Sequence, residues 1–293
     1  HRSEILMQSN ADKLRSLLAS PDILVAPACY DALTARLIER AGFGLSFMSG
    51  FAVSAARLGL PDTGLISYGE MLEQGRNICN AVSIPVIGDG DTGYGNALNV
   101  KRTVVGYAQA GFGCCMIEDQ VAPKRCGHTR GKQVVDREEA VGRIQAAVDA
   151  RDEGADILIM ARTDARATDG FDEAMWRIKA FADLGADILF LEAPQSEEEM
   201  RRFCEGVPGH KMANLVEQGD TPLLPPDVLH GMGFKIVLYP LTLIEASIAA
   251  MEGALQSLKM GKTPEGLAEF SHLREIAGFD DYYEAEQKYA SGE

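Results

Sequence analysis

The chain of 293 residues lacks any apolar run approaching the ~20 residues that span a bilayer. Its first ten residues, His1 to Asn10, carry no apolar stretch behind their basic residue, so no secretory signal is expected. His1 need not be the natural start, which leaves a removed targeting segment open. Cysteine is scarce. Cys29, Cys79, Cys114, Cys115, Cys126 and Cys204 show no C-x-x-C spacing and are too sparse for a disulfide scaffold, which predicts a reduced, cytoplasmic setting. Positive charge is short as well. The 28 Lys and Arg face 43 Asp and Glu, a formal net charge of −15, which argues against non-specific binding to nucleic acid or anionic membrane. A locally basic pocket for an anionic substrate remains compatible with that balance. Interdomain linkers and low-complexity tracts are also missing.

What remains is an ordinary globular composition, 46% hydrophobic and 24% charged, with a core-forming length. The length suits two domains of roughly 150 residues or one α/β barrel of roughly 250. One construction recurs: an amphipathic stretch closes on Gly or Asn, and a short apolar run follows. The joints lie at Gly42, Asn80, Gly111, Gly154, Gly185, Gly206 or Gly209, and Gly233, each read as a helix C-cap. The runs are Ile23–Ala26, Leu45–Met48, Pro85–Ile87, Cys114–Ile117, Ile157–Met160, Ile188–Leu191, Met212–Leu215 and Ile236–Tyr239. Most lack polar alternation, as parallel strands buried on both faces do. Eight such units predict a (β/α)8 TIM-type barrel, with a doubly wound open sheet as the structural alternative. Helical patterns near Leu243–Lys259, Pro264–Ala277 and Tyr282–Tyr289 exceed what a barrel needs. The expected organisation is one barrel domain over 1–293 with 243–293 as a C-terminal helical extension.

Polar residues follow five consecutive runs: Asp89 and Asp91 within Gly88–Asn96, then Glu118 and Asp119, then Arg162, Thr163 and Asp164, then Glu192, then Asn214 with Glu217 beyond. Barrel active sites form at the C-terminal strand ends, so these groups converge on one mouth. Asp89 and Asp91, two apart in an extended segment, would face the same side. With Glu118 they make an oxygen-only donor set suited to Mg²⁺; the competing reading is helix capping and loop hydrogen bonding. The same segment satisfies G-x-G-x-x-G, but its two carboxylates would oppose a pyrophosphate, which argues against a dinucleotide.

The loop Lys124-Arg125-Cys126-Gly127-His128 places two cations before a thiol and a histidine after it. That setting lowers a thiol pKa and suits Cys126 to proton transfer; a solvated basic loop is the alternative. Gly127 and Gly131 suit a loop that closes over the mouth. Arg162 ends an apolar strand and suits a substrate carboxylate, or else a structural pairing with Glu192 or Glu118. Ser49-Gly50, closing the second strand, offers backbone amides to the same anion. Cys29, Cys114 and Cys115 read as buried small hydrophobes, and Trp176, in a helical pattern, as core. His210, His230 and His272 have no metal-ligand spacing.

At these residues the chain resembles the isocitrate lyase/phosphoenolpyruvate mutase superfamily, from about Leu24 to Tyr239. The specific pieces are Asp89-x-Asp91-Thr92-Gly93-Tyr94-Gly95-Asn96, Glu118-Asp119-Gln120, Lys124-Arg125-Cys126-Gly127-His128 and Ala161-Arg162-Thr163-Asp164-Ala165. The resemblance implies a (β/α)8 barrel, a helix exchanged between subunits, a homotetramer, Mg²⁺ (Mn²⁺ as substitute) and small 2-oxy or 2-oxo carboxylate substrates. By position, Asp89 would contact the metal directly, and Asp62, Asp91 and Glu118 would hold it largely through water. Ser49, Gly50, Gly127, Arg162 and Asn214 would bind substrate. Cys126 would be the proton donor, with His128 and Glu192 positioning the chemistry. The cysteine loop favours the C–C lyases over C–P enzymes. Glu245 stands where methylisocitrate lyases carry an arginine, and Pro240 and Thr242 stand where oxaloacetate-hydrolysing relatives carry a serine. The expectation is therefore Mg-dependent retro-aldol-type cleavage of an alkyl-substituted malate such as 2,3-dimethylmalate. The alternatives are an oxaloacetate hydrolase or decarboxylase, a methylisocitrate lyase, and a non-catalytic dicarboxylate-binding barrel.

Overall fold

Eight short runs of buried residues become eight parallel strands, because each run is apolar enough to be covered on both faces. In the computed structural model, which describes residues 8–125 and 131–290, they are β1 (Leu24–Cys29), β2 (Ser46–Met48), β3 (Val86–Asp89), β4 (Cys114–Glu118), β5 (Leu158–Thr163), β6 (Ile188–Leu191), β7 (His210–Asn214) and β8 (Ile236–Tyr239). They pair in sequence order and close, β8 lying parallel to β1 with Leu24 opposite Ile236 and Ala26 opposite Leu238. The architecture is a (β/α)8 barrel. Closure leaves no strand edge unpaired.

Side chains alternate along each strand, so one set fills the barrel and the other packs against the helices. The inward set includes Ala26 and Ala28, Phe47, Ile87, Cys114 and Met116, Leu158 and Met160, Ile188 and Phe190, Met212, and Ile236 and Leu238. Helix Asn10–Ala19 adds Ala11, Leu14 and Leu18 to the same core. It sits at the N-terminal end of the barrel: Asn10 Nδ2 donates to the Gly111 carbonyl and Lys13 Nζ to that of Ser83, both just ahead of strands. The C-terminal end is left open for function.

Helix boundaries follow local chemistry. Asp31, Ser67 and Asn96 form capping boxes, and Gly111 and Gly233 end their helices in the left-handed conformation. Asn80 does not act as a cap: it lies inside helix Tyr68–Ala81, which runs straight into extended Val82. Trp176 is on helix Phe171–Asp183, as its pattern predicts, but it is 39% exposed, with the Arg137 guanidinium 3.9 Å above its ring. Surface cation–π stacking, not burial, occupies it.

The chain divides into two compact units, 1–242 and 243–293. The second is helical, with Phe270–Ala277 and Phe279–Ala290 following the long helix that ends at Lys259. The helix expected from Pro264 starts only at Phe270. No described helix is long and apolar enough to cross a membrane.

The turn after β3 is held by geometry that only glycine permits at Gly93, where φ is +88° and an added Cβ would meet Val100 Cγ2 at 2.3 Å. Gly93→Ala is expected to lower unfolding stability by about 1–3 kcal/mol, read as a shift in the urea midpoint by circular dichroism.

Candidate active site

The same alternation that fills the barrel places the polar residues. Two positions beyond inward Phe47, Ile87, Met116, Met160, Phe190 and Met212 stand Ser49, Asp89, Glu118, Arg162, Glu192 and Asn214. Each therefore points into the mouth at the carboxyl end, and Glu118 and Arg162 are direct partners across β4 and β5. The cavity there is lined by Ser49, Asp62, Asp89, Lys124, Arg162, Glu192 and Asn214 on its polar parts. Phe47, Phe51, Met116, Phe190, Val216, Leu238, Pro240 and Leu241 supply its apolar surface. Glu118 is fully buried beneath it and Asp91 lies behind Asp89. Cys126, Gly127 and His128 lie outside the described residues.

Asp89 and Asp91 do converge, though not along an extended strand. Gly93 N–H bonds back to the Gly90 carbonyl at 2.9 Å, and Asp91 takes a positive φ of 49°. The turn lets the Asp91 amide donate to Asp89 Oδ1 at 3.0 Å, while its carbonyl accepts from Glu118 N at 2.9 Å. The other Asp89 oxygen accepts from Gly50 N at 3.1 Å, an approach only glycine allows, since a Cβ there would sit 2.5 Å from Oδ2. The glycines of the G-x-G-x-x-G pattern serve packing: a Cβ on Gly88 would strike Phe112 and Tyr107, and one on Gly90 the Met116 carbonyl.

The amides of Ser49 and Gly50 are consequently committed, to the Cys29 carbonyl and to Asp89. What this corner offers a ligand is the Ser49 hydroxyl, which also accepts from Ala52 N.

Lys124 is the residue whose place the sequence concealed. One of a Lys-Arg pair reads as solvated, yet it is 5% exposed, with Nζ 2.7 Å from both Asp62 and Asp91. Arg125, by contrast, is exposed. Burial pushes Asp91 up to about 7 against the pull of Lys124, and neighbouring Asp89 and Asp62 push the same way. Burial likewise raises Glu118 well above the carboxylate range, opposed by Arg162 and Lys124.

Arg162 is the second cation. Its Nε and Nη2 bond both oxygens of Asp164 at 2.8 and 3.0 Å. Glu118 and Glu192 lie 3.3 Å from Nη1 and Nη2. Both pairings anticipated as the structural alternative are thus present, along with Asp164, while Arg162 still lines the cavity. Asn214 donates to Glu192 at 3.2 and 3.3 Å, and Glu192 Oε1 accepts from Ala193 N.

Cys29 and Cys204 are raised to about 12 by burial, and Cys114 and Cys115 are buried and raised further still. None of these thiols is poised for acid–base work at neutral pH.

Among the described residues, no three His, Cys, Asp or Glu side chains close around one point as a ligand set. The chemistry of the donors nevertheless suits a hard cation. All are carboxylate oxygens, and both oxygens of fully buried Glu118 have no hydrogen-bond partner. That arrangement fits an ion with few direct protein bonds and the remainder through water, which is how Mg²⁺ is commonly held.

A closed parallel barrel with acids and a fixed arginine at its carboxyl-end mouth defines an enzyme acting on a small anionic molecule. The family model described as phosphoenolpyruvate phosphomutase matches residues 14–259. The 2,3-dimethylmalate lyase of Eubacterium barkeri is 45% identical over 288 residues, 97% of this chain and 99% of that protein. A 2-methylisocitrate lyase of Aeropyrum pernix is 41% identical over 273 residues, 92% of this chain and 87% of that protein. Among solved structures, oxaloacetate acetylhydrolase with 3,3-difluorooxalacetate superposes with a TM-score of 0.92 at 36% identity, covering 96% of this chain and 97% of the other. A 2,3-dimethylmalate lyase gives 0.92 at 37%, covering 98% and 97%. Phosphonopyruvate hydrolase with oxalate and Mg²⁺ gives 0.85 at 31%, covering 97% and 100%. The chain belongs to the phosphoenolpyruvate mutase/isocitrate lyase superfamily. Within it, the chain is a carbon–carbon lyase.

A carboxyl raised in the folded state binds its proton where the unfolded chain has already lost it, so stability falls as pH rises between the two values. Relative to Asp91→Asn, the unmodified protein is expected to lose stability between about pH 4 and pH 7 in EDTA, measured as the difference in urea-unfolding free energy across that range.

Proposed function

We propose that the enzyme cleaves C2–C3 of an alkyl-substituted malate, 2,3-dimethylmalate or a close analogue, releasing pyruvate and a short carboxylate. One observation carries the substrate class. Among the described residues lining the cavity, the cations are Lys124 and Arg162, and each is already ion-paired. Across the barrel from the β3 acids, the β7 and β8 ends present Val216, Leu238, Pro240 and Leu241. Among the described residues a third carboxylate has no cation to meet there, whereas each methyl group buried on that surface gains about 0.8 kcal/mol.

The carboxylates would hold Mg²⁺, Asp89 directly and Asp62, Asp91 and Glu118 largely through water; the phosphonopyruvate hydrolase complex with oxalate and Mg²⁺ supports this. Mn²⁺ would substitute. When bound, the ion favours loss of the substrate's 2-hydroxyl proton and offsets its charge. Arg162 and the Ser49 hydroxyl fix the carboxylate at C2, and Asn214 orients the adjoining oxygen. As the C2–C3 pair moves toward the departing carboxylate, C3 takes its proton from Cys126, with Gly127 against the substrate. His128 and Glu192 position that transfer. The products balance: 2,3-dimethylmalate gives pyruvate and propionate.

A homotetramer with an exchanged helix goes with this reading. It is supported by Ile248, Met251, Leu255 and Leu258, which share one exposed face of helix Thr242–Lys259.

With Mg²⁺ and a panel of 2,3-dimethylmalate, 2-methylisocitrate, oxaloacetate and phosphonopyruvate, NMR is expected to detect pyruvate and propionate from the first alone. Oxalate and acetate from oxaloacetate would move the enzyme to the hydrolases, against the absence of a hydroxyl at Pro240. Cys126→Ser is expected to fold and bind Mg²⁺ while turnover falls about 10²–10⁴-fold; full activity would remove its assigned role.

A further inference from the structure

Asp164 stands immediately before helix Ala165–Thr168, where an aspartate ordinarily accepts hydrogen bonds from the first helical amides. It makes no such cap. The Ala165 amide goes instead to Thr163 Oγ1, at 3.2 Å, and both Asp164 oxygens are given to Arg162. A bidentate bond to the Nε–Nη2 edge fixes the guanidinium plane and leaves Nη1 on the opposite edge.

Asp164 is itself gripped from behind. Its amide donates to Asp119 Oδ1 at 2.9 Å, and the Thr163 hydroxyl donates to Asp119 Oδ2 at 2.6 Å. Arg177, from helix Phe171–Asp183, donates to that Oδ2 at 3.1 Å and is held through Nε by Glu173 at 2.9 Å. Lys132 Nζ lies 3.1 Å from Asp164 Oδ1, which brings the segment after Gly131 onto the same carboxylate. Asp119, Asp164 and Arg177 are all buried, so these bonds are not diluted by solvent. Burial works against the Asp164 charge, but Arg162 and Lys132 hold its carboxyl below the usual range.

We propose that Asp164 is the positioning residue that aims Arg162 at the substrate, and that Asp119, through Thr163 and the Asp164 amide, sets the position of Asp164. Neither is a group that touches substrate. The inference rests on the assignment of Arg162 to a substrate carboxylate, and it predicts that Arg162 loses its direction while keeping its charge when this chain of bonds is cut.

The test uses the full chain with Mg²⁺ and oxalate as the dianion probe. Asp164→Asn is expected to weaken oxalate binding about 10–100-fold by calorimetry and to shift the Arg162 Nε–H signal in ¹⁵N NMR recorded without ligand. In an Arg162→Lys background the same substitution is expected to change oxalate affinity less than twofold, because Asp164 acts only through the arginine. Thr163→Val, a gentler cut, is expected to move the Arg162 signal in a protein that still folds cooperatively with a melting temperature lowered by a few degrees, and Thr163→Ser to restore the signal. An unmoved Arg162 signal in Asp164→Asn and Thr163→Val, or additive effects of Asp164→Asn and Arg162→Lys, would overturn the proposal. Because the NMR signal is read without substrate, failure of the alkylmalate assay alone leaves this inference standing.

Discussion

Closure of eight hydrogen-bonded strands governs everything above it. Once β8 pairs with β1, every strand has a fixed inside and outside, and its inward residues must stack in layers until the space ends. The last inward position of a strand has no layer above it and faces the solvent-filled mouth. Hydrophobic residues gain little there, and the polar ones that take the place are buried yet directed at the cavity, Glu118 and Glu192 at 1% exposure. The active site is in this sense the final layer of the core, written in carboxylates, an amide and a guanidinium instead of leucine and methionine.

Such a layer gathers like charges, and among the described residues lining the cavity two cations answer them, each in contact with its own acids. Lys124 serves Asp62 and Asp91, and Arg162 serves Asp164, Glu118 and Glu192. The division matters because the two halves have different tasks. On the proposed reading one would exchange partners with a metal, and its cation sits on a flexible alkyl stem. The other would present an unchanging edge to a carboxylate, and its cation is a planar fork held by a bidentate acid. The third sector, at the ends of β7 and β8, lines the cavity with Val216, Leu238, Pro240 and Leu241 among the described residues, so shape decides there.

How much of this could be read beforehand depended on the physics of each residue. The strands were legible because runs such as Ile157–Met160 and Ile188–Leu191 are apolar without interruption, which only a doubly covered strand tolerates. Glu118, Arg162 and Glu192 were legible because they follow those runs at the end where barrels bind ligands. The turn that brings Asp91 beside Asp89 was not, since left-handed backbone at a non-glycine residue leaves no pattern. Lys124 was hidden because the depth of a lysine is set by distant carboxylates rather than by its neighbours in sequence. Trp176 and Asn80 erred for a related reason: helical period gives a face but not its burial, and tolerance of a cap conformation does not require it. The commitment of the Gly50 amide depended on Asp89, 39 residues away, and that of the Ser49 amide on the Cys29 carbonyl at the end of β1.

The pairing of Lys124 with the acids has a consequence for how the protein lives between its making and its work. A mouth of carboxylates without an internal cation would need an ion from solution simply to be tolerable, and the fold would be hostage to supply. Here the chain brings its own counter-charge, so the barrel is self-sufficient on emerging from synthesis. On the proposed reading, taking up the ion would be a step separate from folding, one that could be delayed or undone with the barrel intact.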